Sequence, residues 1–310
     1  MGTNWRSTGR TVSAVAVSAV LVAVTAACGG GSSDAAQADS GLTAALGGIP
    51  QDQSDRPLVY SDVPEVRRLT RQNAEQYAVI SGFGIPELAQ TAYAGEPARE
   101  AFGFDETVVD TSVQIGADAV RLTGRFDVDA VTGAMKKRGW TETESDGAPL
   151  LTQDGTRVAV SSSVRSLAYT RNAALPPLNN AETSVAADTA FRAVADCIGD
   201  DTYHATFYGK DREGQLPGLT LFGIGARAGD DGVSKERLCA VTRSAEAART
   251  VADALRPATA AGERFAGARV EIRDGAAPVV TMEWTNSVSE LRPGSQNQTN
   301  ELPQLLIRLR

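Results

Sequence analysis

Three Asp-Gly pairs, Asp146-Gly147, Asp154-Gly155 and Asp274-Gly275, each stand between runs in which apolar and polar residues alternate. Alternation of that period marks a strand with one buried face, and Asp-Gly tolerates the left-handed backbone that a two-residue hairpin turn requires. The chain is therefore committed to antiparallel β-structure at two places far apart in sequence.

The surroundings of the two places are alike. In the first, "AVRLTGRF" (Ala119 to Phe126) alternates as a strand, and Asp127 is placed to cap the helix "VDAVTGAMKKR". Val128, Val131, Ala134 and Met135 share a face of that helix, and Gly139 stops it. A strand, a turn, a strand, a turn and a third strand follow in "TETESDGAPLLTQDGTRVAVS". In the second, "LTLFGIGAR" and "ERLCAVTR" read as strands. Ser244 caps "AEAARTVADALR", and "ARVEIRDGAAPVVTMEW" alternates, turns and alternates again. "DGAPLLT" is echoed by "DGAAPVVT". Each unit is preceded by a further helix, "EPAREAF" and "AADTAFRAVADCIG", the second with an apolar stripe of Phe191, Val194, Ala195 and Ile198. The expected class is α+β: two similar α+β units, mainly antiparallel sheets each with packed helices. Pro176-Pro177 and Asn179-Asn180 interrupt both periodicities, so a domain seam is expected between an N-terminal unit, 41–175, and a C-terminal unit, 184–310; the stretch is short and contains apolar Leu175 and Leu178, which suits equally a long loop inside one domain.

The start of the chain has another character. Arg6 and Arg10 precede an uncharged run from Thr11 to Ala27, which ends in small residues and is followed by a Gly/Ser tract. That is the order of a secretory signal, and no basic stop-transfer cluster follows it. Thr25-Ala26-Ala27-Cys28-Gly29 resembles the lipobox of bacterial lipoproteins, with Thr25 standing where Leu is commonest. Together with the scarcity of lysine beside arginine, it makes the chain similar to exported lipoproteins of high-GC Gram-positive bacteria. The resemblance implies a signal peptide over 1–27, cleavage before Cys28 and acylation of Cys28. Residues 28–40 would then be a flexible tether, holding the folded part at the extracytoplasmic face of the cell membrane. The resemblance covers only these few residues and carries location, not activity.

With Cys28 taken by lipid, Cys197 and Cys239 remain, and an even count outside the cytosol reads as one disulfide. Removing residues 1–27 takes two of the 30 basic residues and none of the 38 acidic ones, leaving 28 against 38 and a formal charge of −10. Such a surface disfavours nucleic acid as a partner. Within it, Arg67, Arg68 and Arg71 form a small basic face on a helical stretch, a candidate partner face.

The residues required for familiar chemistry are scarce. The chain has one histidine, His204, in what reads as a strand, which excludes zinc sites built on two histidines and leaves a serine triad without its elbow motif. "GIGARAG" has its third glycine one place late for a nucleotide loop and reads as a loop between strands. Asp127 with Asp129, Asp200 with Asp201, Asp230 with Asp231, and Glu142 with Glu144 offer paired carboxylates without calcium-loop spacing. The acids read as a cap, two turns and an exposed strand face. Trp140 and Trp284 read as core anchors. No metal, cofactor or catalytic residue is expected. The function expected is that of a non-enzymatic binding or interaction module on the membrane, taking a small ligand or an envelope protein. Two rivals stand beside it: a hydrolase using paired carboxylates, and a structural lipoprotein that binds a protein partner.

Overall fold

In the computed structural model the described residues are 41–77, 97–210, 214–229, 233–261, 265–285 and 301–307. The signal segment, Cys28 and the tether lie outside them; so do the break that Gly82, Gly84 and Pro86 are expected to make in the early helical stretch, the helical piece expected after it, and the acid pair Asp230-Asp231.

Alternating runs from both halves of the chain pair into one sheet of twelve strands. Its centre is β1, Leu58–Asp62. On one side of β1 lie β2 (Val109–Ile115), β3 (Ala119–Gly124), β7 (Ser166–Arg171), β6 (Thr156–Ser161), β5 (Ala148–Gln153) and β4 (Thr141–Ser145), in that order. On its other side lie β8 (His204–Phe207), β9 (Leu219–Ala228), β10 (Ser234–Thr242), β12 (Val279–Thr285) and β11 (Arg269–Arg273). Every neighbouring pair is antiparallel. The α+β class and its antiparallel character are as expected, but one sheet takes the place of a sheet in each half. Residues 172–184 connect β7 to the second half, and β1 of the first half is hydrogen-bonded to β8 of the second.

The turns show why the register is fixed. Asp146 and Gly147 have φ of 54° and 74°, and Asp154 and Gly155 have 48° and 78°, so both central positions of each hairpin are left-handed as the sequence requires. Asp274-Gly275 departs from that reading. Five residues, 274–278, separate β11 from β12, and Gly275 is outside the left-handed region.

Helices cover both faces. On one face lie α1 (Gly41–Leu46) and α6 (Thr189–Ile198), packed with Leu58, Tyr60, Ile115, Phe207 and Leu221. On the other lie α2 (Val63–Gln72), α3 (Ala74–Tyr77), α4 (Ala98–Phe102), α5 (Val128–Lys137), α7 (Ala245–Leu255) and α8 (Glu301–Leu306). The expected caps are made: Asp127 Oδ1 accepts from the Ala130 amide at 3.1 Å and Ser244 Oγ from the Ala247 amide at 3.2 Å. α6 lies close on the sheet because β9 carries Gly223 and Gly225 beneath it. A Cβ on Gly225 would fall 2.1 Å from Ile198 Cγ2, and one on Gly223 2.9 Å from Val194 Cγ1. The strand expected at "LTLFGIGAR" is thus β9, which runs on to Ala228 through most of the stretch "GIGARAG" that also reads as a loop, and Gly223 and Gly225 make room for a helix. Among the described residues no helix is long and apolar enough to cross a membrane.

Candidate functional site

A recess with an apolar floor lies between α4, α5 and the chain joining them to the sheet. α4 ends at Gly103, whose φ of 76° turns the chain against α5 so closely that a Cβ there would sit 2.3 Å from the Ala130 carbonyl oxygen. Phe104 then packs edge-on against Phe126, with ring centroids 5.4 Å apart. Asp105 stiffens the next turn, accepting from the Thr107 amide at 2.9 Å and pairing with Arg99 at 3.1 Å. Burial pushes the Asp105 carboxyl upward, but the Thr107 hydroxyl and amide and the Arg99 guanidinium outweigh it, so its pKa lies below the usual carboxylate value. These contacts shape an open recess of about 740 Å³, floored by Phe104, Val108 and Ala134. Arg99, Arg125 and Lys137 stand on its rim against Glu100, Asp127 and Asp129. A second, shallower and more polar recess of about 770 Å³ lies along the ends of β4, β5 and β6, lined by Thr141, Thr152, Asp154 and Arg157.

A different constellation is enclosed in the sheet. Following the pairing across β2, β1, β8, β9 and β10, one row reads Ser112, Ser61, His204, Ala226, Glu236, all on the same face. Ser61, Ser112, His204 and Glu236 are buried. His204 Nδ1 is 3.1 Å from Ser61 Oγ across the β1–β8 pair. Burial disfavours the imidazolium and lowers the His204 pKa to about 4, against the smaller opposing effect of its hydrogen bond to the Tyr60 backbone. Beside it Tyr203 and Ser234 share a hydroxyl–hydroxyl bond of 2.9 Å, and burial raises the Tyr203 phenol well above its ordinary pKa. Val66 and Leu69 of α2, with Tyr77, close over this end of the row.

The sequence-derived candidates are dispersed. Cys197, near the end of α6, and Cys239, in β10, form a disulfide with Cα atoms 6.1 Å apart, so helix is bonded to sheet as expected. Of the basic face on α2, Arg67 Nη1 donates to the Glu106 carbonyl at 2.7 Å. Arg68 makes a two-pronged contact with Glu65, at 2.7 and 2.5 Å, and Arg71 is exposed. Asp127 serves as cap and Asp129 lines the recess. Asp200 and Asp201 stand in an exposed turn, with Asp201 3.9 Å from Arg227. Glu142 pairs with Lys136 at 2.8 Å, and Glu144 is exposed on β4. Trp284 is buried edge-on against Phe265 with centroids 5.2 Å apart, while Trp140 is half-buried at the margin of the α5 core.

Two charged sites escaped sequence reasoning. Arg121 points into the sheet face that carries α1, 5% exposed, and donates to the carbonyls of Pro177 and Leu178 at 3.1 and 2.9 Å. Its signal was an arginine at an inward position of an alternating run. Lys210 pairs with Asp188, the N-cap of α6, at 2.6 Å. No local pattern marks that pair.

No protein-family model matches the chain, and no curated relative matches it. Among solved structures, crystal form I of TP0453 is similar with a TM-score of 0.44 and 12% identity, over 80% of this chain and 94% of that one. A likeness of that degree carries no argument about this chain.

Proposed function

We propose that this chain is an exported lipoprotein, acylated at Cys28 and tethered by residues 28–40, whose folded part is a non-enzymatic binding module. The location rests on the sequence alone, on the basic, apolar and small-residue order that ends at Cys28. The binding role is supported by the recess between α4 and α5, whose apolar floor and rim of both charges are the mixture by which small ligands are held and oriented. Membrane attachment at Cys28 and the open mouth of the recess are compatible with capture of a small molecule in the envelope; Arg71 on α2 is the exposed cation available to an envelope protein.

The same reading includes a duplicated unit. Each half runs helix, strand, two further strands, capped helix and a returning set whose last strand pairs with the third. α1–β1–β2–β3–α5 answers to α6–β8–β9–β10–α7, and β1 and β8 pair with each other at the centre. The first half adds α2 to α4 after β1 and two more strands near its end.

The rival reading, a carboxylate hydrolase, is favoured by one observation: Asp127 and Asp129 both line the recess. Native mass spectrometry of protein isolated from the envelope, with and without Asp129→Asn, separates the two. A co-purifying small ligand retained by both forms supports binding. Turnover of envelope glycans by the wild type and not by the variant supports the hydrolase. Intact-mass analysis of the mature chain tests location: an acylated Cys28 at the N-terminus is expected, and a chain retaining residues 1–27 overturns it.

A further inference from the structure

We propose that the Ser61–His204 pair is an acid-sensitive latch between the two halves of the sheet, closed by a neutral imidazole and loosened when that ring takes up a proton. Its position carries the argument. β1 with β8 is the strand pair that joins residues before the 172–184 connection to residues after it, and His204 faces Ser61 across that pair. The ring lies in a buried polar row, with the apolar cluster under α4 and α5 on one side and that under α7 and α8 on the other.

The surroundings suit a neutral ring. β1 offers the Ser61 hydroxyl and the Tyr60 backbone, β9 offers Ala226, and α2 offers Val66 and Leu69. Among the described residues the titratable groups on that side are the Glu236 carboxyl beyond Ala226, the phenols of Tyr203 and Tyr77, and Asp62 and Glu65 at the start of α2. Arg68 is engaged by Glu65. A protonated ring would hold an unshared charge out of water, and the direct relief is to part β1 from β8 and hydrate it.

The sign follows from linkage. The closed state holds His204 at a pKa of about 4 and an opened, hydrated ring returns toward 6.5, so the closed state binds fewer protons in that window. Closure is therefore unaffected above about pH 6.5 and weakens progressively below it.

The test is amide hydrogen exchange on the purified full chain, alongside NMR titration of its one imidazole. After correction for intrinsic exchange, the amides of 58–61 and 204–207 are expected to exchange about 30-fold faster at pH 5 than at pH 7.5, with those of β5 and β6 unchanged. The imidazole is expected to titrate below pH 5. His204→Gln, which keeps a neutral hydrogen-bonding side chain, should abolish the acceleration. An imidazole that titrates near 6.5, an acceleration shared by β5 and β6, or the same acceleration in His204→Gln would each overturn the proposal. The first two readouts use the wild-type chain and stand whether or not the variant folds.

Discussion

Arg121 and Asp188 show how single buried charges fasten segments to the body of the fold: Arg121 holds the connection between the halves, and Asp188 ties the start of α6 to Lys210. The Arg121 guanidinium lies beside Gly48, so near that a Cβ there would come 2.3 Å from its central carbon, and it gathers the carbonyls of the connecting segment. Burial lowers its pKa from the ordinary value, yet it stays charged and its two carbonyl partners take the place of water. Arg121→Ala should cost about 2–4 kcal/mol in urea unfolding, because two charge-assisted bonds go and two carbonyls lose their donor. Arg121→Met, which keeps the stem's packing and removes the charge, should cost less. Asp188 is a second such residue. Burial raises its carboxyl, but Lys210 and the amides of Ala190 and Phe191 outweigh that and hold its pKa below the usual value. A carboxyl with a depressed folded pKa stabilises the fold above its unfolded value, near 3.9, and that contribution fades as pH falls through the folded value. Asp188→Ala should therefore lower stability by about 2–3 kcal/mol at pH 7, combining a lost cap with a lost partner for half-buried Lys210, and by less near pH 2. Urea titrations at the two pH values check both parts.

At the scale of elements, α6 on β9 is the packing most exposed to a small change. Gly225→Ala would drive a methyl into Ile198 and is expected to destabilise by about 1–3 kcal/mol. Ile198→Ala in the same chain should recover part of that loss, a coupling that a double-mutant cycle in chemical denaturation would read. Removing the adjacent disulfide by Cys197→Ser with Cys239→Ser should cost a further 2–4 kcal/mol or about that. These elements differ in how far they could be read in advance. Capped helices and the hairpins at Asp146-Gly147 and Asp154-Gly155 were legible because their determinants are local: one side-chain oxygen, one pair of left-handed residues. β2, in "VVDTSVQI", gave no clean alternation, and β7 followed a third hairpin with no Asp-Gly signal. The purpose of the β9 glycines was not legible, because what they accommodate comes from a helix some thirty residues earlier, and such a partner leaves no mark on the strand itself.

For the whole molecule, the continuity of the sheet has a thermodynamic consequence. Separating the halves would expose both edges of the β1–β8 pair and the cluster in which α1, α6, Leu58 and Phe207 meet. The body is expected to melt in one calorimetric transition with equal van't Hoff and calorimetric enthalpies. Chains 41–175 and 184–310, made separately, should each fail to give a cooperative melt. Two independent transitions in the intact body would show that the halves are thermodynamically separate. The outer strands are suited to remaining outer strands. Glu142 and Glu144 line one face of β4, so that pairing of this edge with its own copy would set like charges together, and Arg269, Glu271 and Arg273 keep one face of β11 charged.

What the sequence determined by itself was whatever nearest neighbours control: strand and helix periods, caps, turns, the pairing of the two remaining cysteines, and the expectation of export and acylation at Cys28. Only the tertiary structure decided that strands from both halves share one sheet, that His204 is sealed against Ser61, and that the acids near α5 border a recess. The physical reason is one of range. A backbone turn is selected by the residues that make it, whereas the burial of a ring or the order of strands depends on surfaces contributed from both ends of the chain, and these meet only once it has folded.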